Sequence, residues 1–235
     1  MKTSSSTLRI LGALIFTLGV LSSTLLTTGL TWAGLEATLY GFERYTNDHF
    51  DGLSCPLLMT RSETGVIHVA VNNPSDKVIT PIMTIDLSSP ALPDTEQVQV
   101  TVPPGQTRQL EWTVSRENID FGSFIFAKAN RSASYPVGTA EALCGILVLD
   151  VPSLSGIQIL SMWLALGLLC TPLGLWLLNS GMERHGSLPG VLQALAVAAL
   201  GGLLVSLPSL WVLGVLFLTV TVLLAVGLLH FIVRV

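Results

Sequence analysis

The stretch "ALCGILVLDVPSLSG", residues 142–156, decides how this chain divides, because it lies between a polar segment and a long apolar run. Its apolar first half suits either the start of a membrane helix or the last strand of a soluble domain. Asp150 favours the strand, since a carboxylate within a spanning helix is costly unless it stays at headgroup level. Pro152 then ends the strand, and Ser153 or Ser155 can cap the helix that follows. We therefore expect "CGILVLD" to be a final strand and a membrane helix to begin at about Leu154.

Charged residues are distributed unevenly along the chain. Only 11% of the 235 residues are charged and 50% are apolar, whereas soluble domains average about 25% charged residues. Residues 34–153 hold 14 acidic and 7 basic residues, and the rest of the chain holds one acid, Glu183, and four basic residues. The sequence therefore predicts an acidic, hydrophilic domain inserted into a membrane protein. At about 120 residues the insert is long enough to bury its own core.

Four uncharged runs are long enough to cross a bilayer, which takes about 20 apolar residues per helix. The predicted transmembrane helices are residues 10–33, 154–178, 188–206 and 209–232. The last two come from one continuous apolar run, and Pro208 divides it because proline disfavours helix at the residue before it. Residues 207–208 are therefore predicted to form a tight hairpin. Pro172 is predicted to kink the second helix.

Lysine and arginine outside the insert predict the orientation, since they accumulate in cytoplasmic segments. Four crossings place residues 1–9, 179–187 and 233–235 together on one side, with Lys2, Arg9, Arg184 and Arg234. We expect that side to be the cytoplasm, with both termini in it. The insert 34–153 and the hairpin then lie outside the cytoplasm. The predicted location is the cell membrane, with lipid around a multi-pass chain.

The first apolar run has a second interpretation. Residues 1–33 have a basic start, an apolar middle and small residues at Thr31 and Ala33, as a cleaved signal peptide has. The uncharged run is longer than the ~7–15 residues typical of a signal peptide's apolar region, which favours a retained anchor. Both interpretations place the insert outside the cytoplasm.

Short alternating or β-branched runs, separated by turn residues, fill the insert. They are "GVIHVAVNN" (65–73), "VITPIMTIDL" (78–87), "QVQVTV" (97–102), "RQLEWTV" (108–114), "FIFAKA" (124–129) and "CGILVLD" (144–150). Alternation predicts that two sets of residues each share a face: Val98, Val100 and Val102, and then Leu110, Trp112 and Val114. Strands of this length and spacing predict an antiparallel β-sandwich.

Two stretches carry a resemblance to a known class of domain. "VNNPSDKVITPIMTIDL" (71–87) followed by "VQVTVPPGQTRQLEWTV" (98–114) resembles the bacterial immunoglobulin-like modules of cell-surface proteins. In those modules an Asn-rich turn and, later, a Pro-Gly-Gln hairpin lead to a Trp-bearing strand. The resemblance covers about residues 65–114. It implies an immunoglobulin-like β-sandwich at the cell surface and supplies no catalytic residue.

Cys55 and Cys144 lie near the two ends of the insert, in a segment expected in an oxidising compartment. We expect a disulfide between them, which would close a loop of about 90 residues and stabilise the domain by on the order of 4–5 kcal/mol. The alternative is two unrelated buried thiols, since free cysteine packs as a small apolar residue. Cys170 lies within a predicted membrane helix, and we assign it no redox role.

Few residues suggest chemistry. Asp48, His49 and Asp51 are close together and are the candidate ligands for a weak divalent-cation site; the alternative is a solvated loop, because the oxygen spacing of a calcium loop is missing. No nucleotide-binding or nucleophile motif occurs. We therefore predict no catalytic residue and no cofactor. The predicted membrane helices carry no ionisable residue at depth, which argues against an ion pump.

A stripe of small residues occurs in the third predicted membrane helix. Ala194, Ala198 and Gly202 recur every four residues, which allows close helix approach. They are predicted to pack within this chain's own bundle or against a partner protein.

These features predict a non-catalytic integral membrane protein that presents an extracytoplasmic immunoglobulin-like interaction domain. The expected partners are other membrane or envelope proteins, with no nucleic acid. The alternative is an accessory or structural subunit of a larger transport, respiratory or photosynthetic complex. The sequence does not set the oligomeric state.

Overall fold

A computed structural model describes residues 5–43, 46, 48–181, 188–208 and 210–234 of the chain. The chain divides into two compact units. The helical unit contains residues 1–32 and 158–235, and the sandwich unit contains residues 33–157.

The helices are long, apolar and interrupted once. They are α1 (Ser5–Leu39), α2 (Gly156–Ala165), α3 (Thr171–Gly181), α4 (Leu188–Ser206) and α5 (Trp211–Arg234). Among the described residues, four helical stretches are long and apolar enough to cross a membrane, by length and composition alone: Thr7–Leu39, Gly156–Ser180, Pro189–Ser206 and Trp211–His230. These four helices suggest a membrane protein.

A π-helical turn, Leu166–Cys170, joins α2 to α3. Pro172 follows this turn, lacks a backbone N–H and would clash with the carbonyl of residue 168 in a regular α-helix. A π-turn changes the hydrogen-bond spacing and removes that conflict.

Of the predicted membrane helices, 188–206 has the bounds of an observed helix, and the others differ from the observed helices at one or both ends. Helix α1 continues to Leu39 rather than ending at residue 33, because residues 34–39 contain no proline and remain compatible with helix. Helix α2 begins at Gly156 rather than 154, and α5 begins at Trp211 rather than 209. Predictions that fall on residues 1–4, 182–187, 209 and 235 lie outside the described residues.

Eight strands form the part of the sandwich unit that the structure describes. They are β1 (Leu53–Ser54), β2 (Leu58–Thr60), β3 (Gly65–Asn72), β4 (Ile82–Leu87), β5 (Asp94–Gln99), β6 (Thr107–Val114), β7 (Phe124–Arg131) and β8 (Ala140–Leu149). One sheet has the order β1-β3-β6 and the other has the order β2-β8-β7-β4-β5. The core between them takes alternate residues of facing strands, among them Ile67, Trp112, Met83, Ile125 and Ile146.

The sheet departs from the predicted topology in one strand pair. Strand β2 lies parallel to β8, with Leu58 opposite Leu147, so the sandwich is not entirely antiparallel. The other strand pairs are antiparallel. No turn connects β2 to β8 in sequence, and the chain between them passes through the rest of the sandwich, which makes a parallel pairing possible.

The residues predicted to share a buried face do so in one run, and only some of them are buried in another. Trp112 and Val114 of β6 are buried, and Leu110 packs against the same core. In the run 97–102, Val100 and Val102 are buried but Val98 is 37% exposed. Val98 belongs to β5, which lies at the edge of its sheet and therefore has only one neighbouring strand to cover it.

Candidate interaction surfaces

A disulfide joins Cys55 to Cys144 within the sandwich unit, with their Cα atoms 6.5 Å apart. Cys144 lies in β8 opposite Ala127 of β7, so "CGILVL" belongs to the sandwich as a strand. Both cysteines pack against the core. The bridge therefore ties the first segment of the unit to its last strand.

The loop with Asp48, His49 and Asp51 pairs with the start of β8 through its backbone. The Glu141 N–H donates to the Asp48 carbonyl at 2.8 Å, and His49 forms a parallel bridge with Glu141. The side chains of His49 and Asp51 are exposed, 3.7 Å apart at their closest atoms. Within the described ranges, no three His, Cys, Asp or Glu side chains form a group that could hold a metal ion.

The small-residue stripe of α4 contributes to packing inside the helical unit at two of its three positions. Ala198 and Gly202 are buried, and a Cβ on Gly202 would lie 3.2 Å from Phe217 of α5 and 3.3 Å from Thr27 of α1. Ala194 is exposed.

Four buried hydroxyls of the helical unit, which the sequence analysis did not single out, each face a glycine of another helix. The pairs are Ser23 with Gly167, Thr27 with Gly202, Thr31 with Gly214, and Thr171 with Gly19. None of the four hydroxyl oxygens has a hydrogen-bond partner among the described residues. Glycine lets the two backbones approach, and its Cα–H groups can then contact the hydroxyl oxygen. Ser23, Thr27 and Thr31 of α1 are spaced four residues apart and therefore lie on one face of the helix. That face contacts the π-turn, α4 and α5 through the three glycines.

The outer face of the five-stranded sheet carries a buried ion pair. Lys128 of β7 is 1% exposed and its Nζ lies 2.9 Å from a carboxylate oxygen of Glu141 on β8. The same ammonium group donates to the backbone carbonyl of Glu43. The segment after α1 therefore covers this face and supplies a second acceptor to the buried lysine, whose charge must be paired and hydrogen-bonded.

A second polar group lies beside the ion pair on the same face. Asp86 of β4 is 8% exposed and accepts hydrogen bonds from Thr95 at 2.7 Å and from the Asn130 side chain at 3.3 Å. Asp86 is opposite Lys128 in the β4–β7 pairing. The alternation of strands places these polar side chains on the face that does not contribute to the core.

An aromatic cluster covers the other end of that face. The Tyr40 ring lies 4.8 Å from that of Phe126 and 5.9 Å from that of Phe121, centroid to centroid. The Tyr40 hydroxyl donates to Asp120 at 2.7 Å. Burial of the phenol, together with the adjacent Asp120 carboxylate, raises the pKa of Tyr40 to about 12. Phe121 is 64% exposed and has a φ of 46°, a strained value for a bulky residue.

Strand β5 is an uncovered edge. It ends the order of its sheet, and all six of its residues are exposed. The pairing with β4 shows which N–H groups of β5 are already used. The Val100 N–H donates to the Pro81 carbonyl, and Val98, two residues earlier, lies opposite Met83 in the same register. Alternation then points the N–H groups of Thr95, Gln97 and Gln99 away from β4.

The start of α2 is capped from a distant part of the chain. A carboxylate oxygen of Glu63 accepts hydrogen bonds from the backbone N–H of Gly156 at 2.8 Å and of Thr60 at 2.9 Å. A carboxylate at a helix N-terminus is favoured both as a cap and by the helix dipole. The sequence analysis named Ser153 or Ser155 as a cap, and nothing local in the sequence indicates the additional role of Glu63.

No protein-family model and no curated protein matches the chain. Among solved structures, it is similar to the CARDB domain of the PF1109 protein from Pyrococcus furiosus, in complex with di-metal ions, at 10% identity and a TM-score of 0.34, over 42% of this chain and 90% of that one. It is also similar to a cycloisomaltooligosaccharide glucanotransferase from Paenibacillus sp. (18% identity, TM-score 0.34, 45% of this chain, 14% of that one). A third similar structure is a β-glucosidase from Listeria innocua (15% identity, TM-score 0.31, 40% of this chain, 15% of that one).

The chain matches only a small part of the glucanotransferase and of the glucosidase, and the similarities establish neither an enzymatic nor a non-enzymatic role.

Proposed function

We propose that this chain is a non-catalytic integral membrane protein whose extracytoplasmic, immunoglobulin-like sandwich binds another membrane or envelope protein. In this proposal the four apolar helices form the membrane anchor. The lysine and arginine distribution outside the insert supports placing both termini in the cytoplasm. The Cys55–Cys144 disulfide supports an oxidising location for the sandwich, because such bonds persist outside the cytoplasm.

Edge strand β5 is the observation that carries the proposed interaction. Proteins usually protect such an edge with lysine, proline, a bulge or a very short strand. Residues 94–99, "DTEQVQ", contain neither lysine nor proline and form six consecutive ladder residues with β4. An extended segment of a partner can add to this edge through main-chain hydrogen bonds. Asp94 and Glu96 favour a segment with basic side chains.

One substitution tests the edge without disturbing the sandwich. Gln97→Pro removes an N–H that points away from β4, and proline is tolerated at such an edge position. Gln97→Ala is the matched control, because it shortens the same side chain and keeps the N–H. The protein is extracted from its native membranes in mild detergent, and co-purifying proteins are identified by mass spectrometry. We expect Gln97→Pro to lose a partner that the wild type and Gln97→Ala retain; retention by all three contradicts the proposal.

The exposure of α5 favours the second candidate, an accessory subunit of a larger membrane complex. Only 11% of its membrane-spanning window is buried, compared with 44% for α4. Its large exposed residues include Leu216, Leu223 and Leu229. Deleting residues 42–150 distinguishes the candidates: unchanged co-purification assigns binding to the helices, and loss of partners assigns it to the sandwich.

A further inference from the structure

A pocket of about 350 Å³ opens on the sandwich unit close to its exit toward α2. It is lined by Arg61, Ser62, Arg116, Asp150, Val151 and Pro152. Neither the disulfide nor strand β5 contributes to it, so it is separate from the interaction surface proposed above.

The charges in this pocket favour an anion. Arg61 is held in place, since its Nη2 donates to the Gly122 carbonyl at 2.7 Å and its Nε lies 4.0 Å from a carboxylate oxygen of Asp150. Arg116 is exposed and forms no ion pair with any described residue. Two guanidinium groups against one carboxylate leave a surplus of one positive charge. The planar guanidinium group matches the oxygens of a phosphate and can bind two of them at once.

Chain connectivity limits how far this pocket lies from the proposed membrane surface. Pro152 precedes Gly156, the first residue of the candidate span Gly156–Ser180, by four residues. Four residues reach at most about 14 Å. The headgroup layer extends roughly 5–8 Å beyond the hydrocarbon on each side of a bilayer. A lipid phosphate at the end of this span is therefore within reach of the pocket.

An exposed aromatic residue adjoins the same site. Phe121 precedes Gly122, whose carbonyl Arg61 binds, and its ring contacts that of Tyr40. Aromatic rings are stabilised at the level of the headgroups, where their apolar surface leaves water. The strained backbone of Phe121 thus presents an apolar ring beside an arginine-lined pocket.

We propose that Arg61 and Arg116 bind the phosphate of an anionic phospholipid in the outer leaflet and that Phe121 rests in the interface beside it. The bound lipid would fix the height of the sandwich above the membrane. This inference rests on the proposed membrane embedding, which is tested separately by extraction: carbonate must leave the chain in the membrane, and detergent must release it.

The experiment titrates the full-length, delipidated protein in detergent with phosphatidylglycerol, phosphatidylcholine or inorganic phosphate and follows thermal unfolding. Bound lipid is counted by native mass spectrometry. We expect phosphatidylglycerol to raise the unfolding midpoint and to be retained, and phosphatidylcholine to do neither. Arg116→Gln should weaken half-saturation about tenfold, whereas Arg108→Gln, an exposed arginine of β6, should titrate like the wild type.

Three results overturn the inference while the protein remains membrane-embedded. They are equal shifts with both lipids, unchanged titration of Arg116→Gln and of Arg61→Gln, and an equal shift with inorganic phosphate that also blocks lipid retention. The last result would assign the pocket to a free anion. Circular dichroism of each variant distinguishes a lost site from a lost fold.

Discussion

Gly145 of β8 lies so close to Ala33 of α1 that a Cβ atom on the glycine would overlap the backbone carbonyl of Ala33. Gly145 is opposite Phe126 in the β7–β8 pairing, on the outer face of the sheet. The last turns of α1 therefore pack directly against β8, and Ala33 and Ala37 are both buried. The extension of α1 to Leu39 is thus part of the sandwich unit.

Gly145→Ala should destabilise the sandwich unit, because the added methyl group must displace backbone rather than a mobile side chain. Overpacking of this kind costs about 1–3 kcal/mol. Gly138→Ala is the control, since a Cβ there meets nothing within 4 Å. Chemical unfolding of both variants, followed by near-ultraviolet circular dichroism, measures the difference. Equal stability of the two variants would contradict the close contact.

Tyr40→Phe should cost about 1.5 kcal/mol at neutral pH, because it removes a hydrogen bond to a carboxylate. The pKa of Tyr40 is raised from 10.0 to about 12. A raised folded-state pKa contributes stability that is full below pH 10 and is lost as the pH rises through 12. The stability difference between wild type and Tyr40→Phe should therefore shrink over that window. A constant difference would be inconsistent with the Asp120 hydrogen bond, and Tyr135→Phe, at an 80% exposed position, serves as the control.

The buried pair of Lys128 and Glu141 should show strong coupling in a double-mutant cycle. Lys128→Met or Glu141→Leu alone leaves a buried charge with fewer partners and should cost about 3–5 kcal/mol. The double variant should cost less than the sum of the two. Glu111→Gln is the control, because its ion pair with His68 is exposed and such pairs contribute about 0–1 kcal/mol. If the free-energy cost of the double variant equals the sum of the two single costs, the coupling is refuted.

Replacing Cys55 and Cys144 together by alanine should lower the free energy of unfolding by at most about 4–5 kcal/mol, because the unfolded chain regains the freedom of a long loop. In the wild type, alkylation under denaturing, non-reducing conditions should label Cys170 alone, the one free cysteine. Three labelled cysteines would contradict the disulfide. Cys170→Ala is the control, and the reagent should label no cysteine in it.

Helix α1 should remain part of the mature protein, because Phe16, Ser23 and Leu26 are buried in the helical unit. Intact-mass measurement should give a chain that retains α1, and a chain beginning near Gly34 would contradict this.

Gly174→Ala should weaken the bundle, because a Cβ there overlaps the backbone of Phe16. Gly227→Ala is the control, with nothing within 4 Å of the added atom, and should be neutral or stabilising.

Local pattern allowed much of the fold to be predicted. Alternation in "RQLEWTV" indicated the buried face of β6, and Asp150 and Pro152 placed "CGILVL" in a strand rather than in a helix. The four apolar runs indicated the helices to within a few residues, apart from the end of α1. These features depend on neighbours in sequence, so periodicity and turn residues suffice to detect them.

Contacts between distant segments were not predictable in the same way. Glu63 caps α2 from 93 positions away, and β2 pairs in parallel with β8, although neither has a local signal. The burial of Lys128 depends on the segment after α1, to which the sequence analysis assigned no contact. In each of these contacts a polar group exchanges water for a protein partner. Local sequence pattern does not indicate which distant residue becomes that partner.

By itself, the sequence determined the alternation of membrane-like and hydrophilic segments and the positions of most strands and helices, because hydrophobic periodicity and charge are local properties. Only the tertiary structure decided which strands lie at the sheet edges, which hydroxyls meet glycines and which arginines line a pocket. Those outcomes depend on the order of strands in a sheet and on the approach of helices, and both follow from packing the whole chain at once.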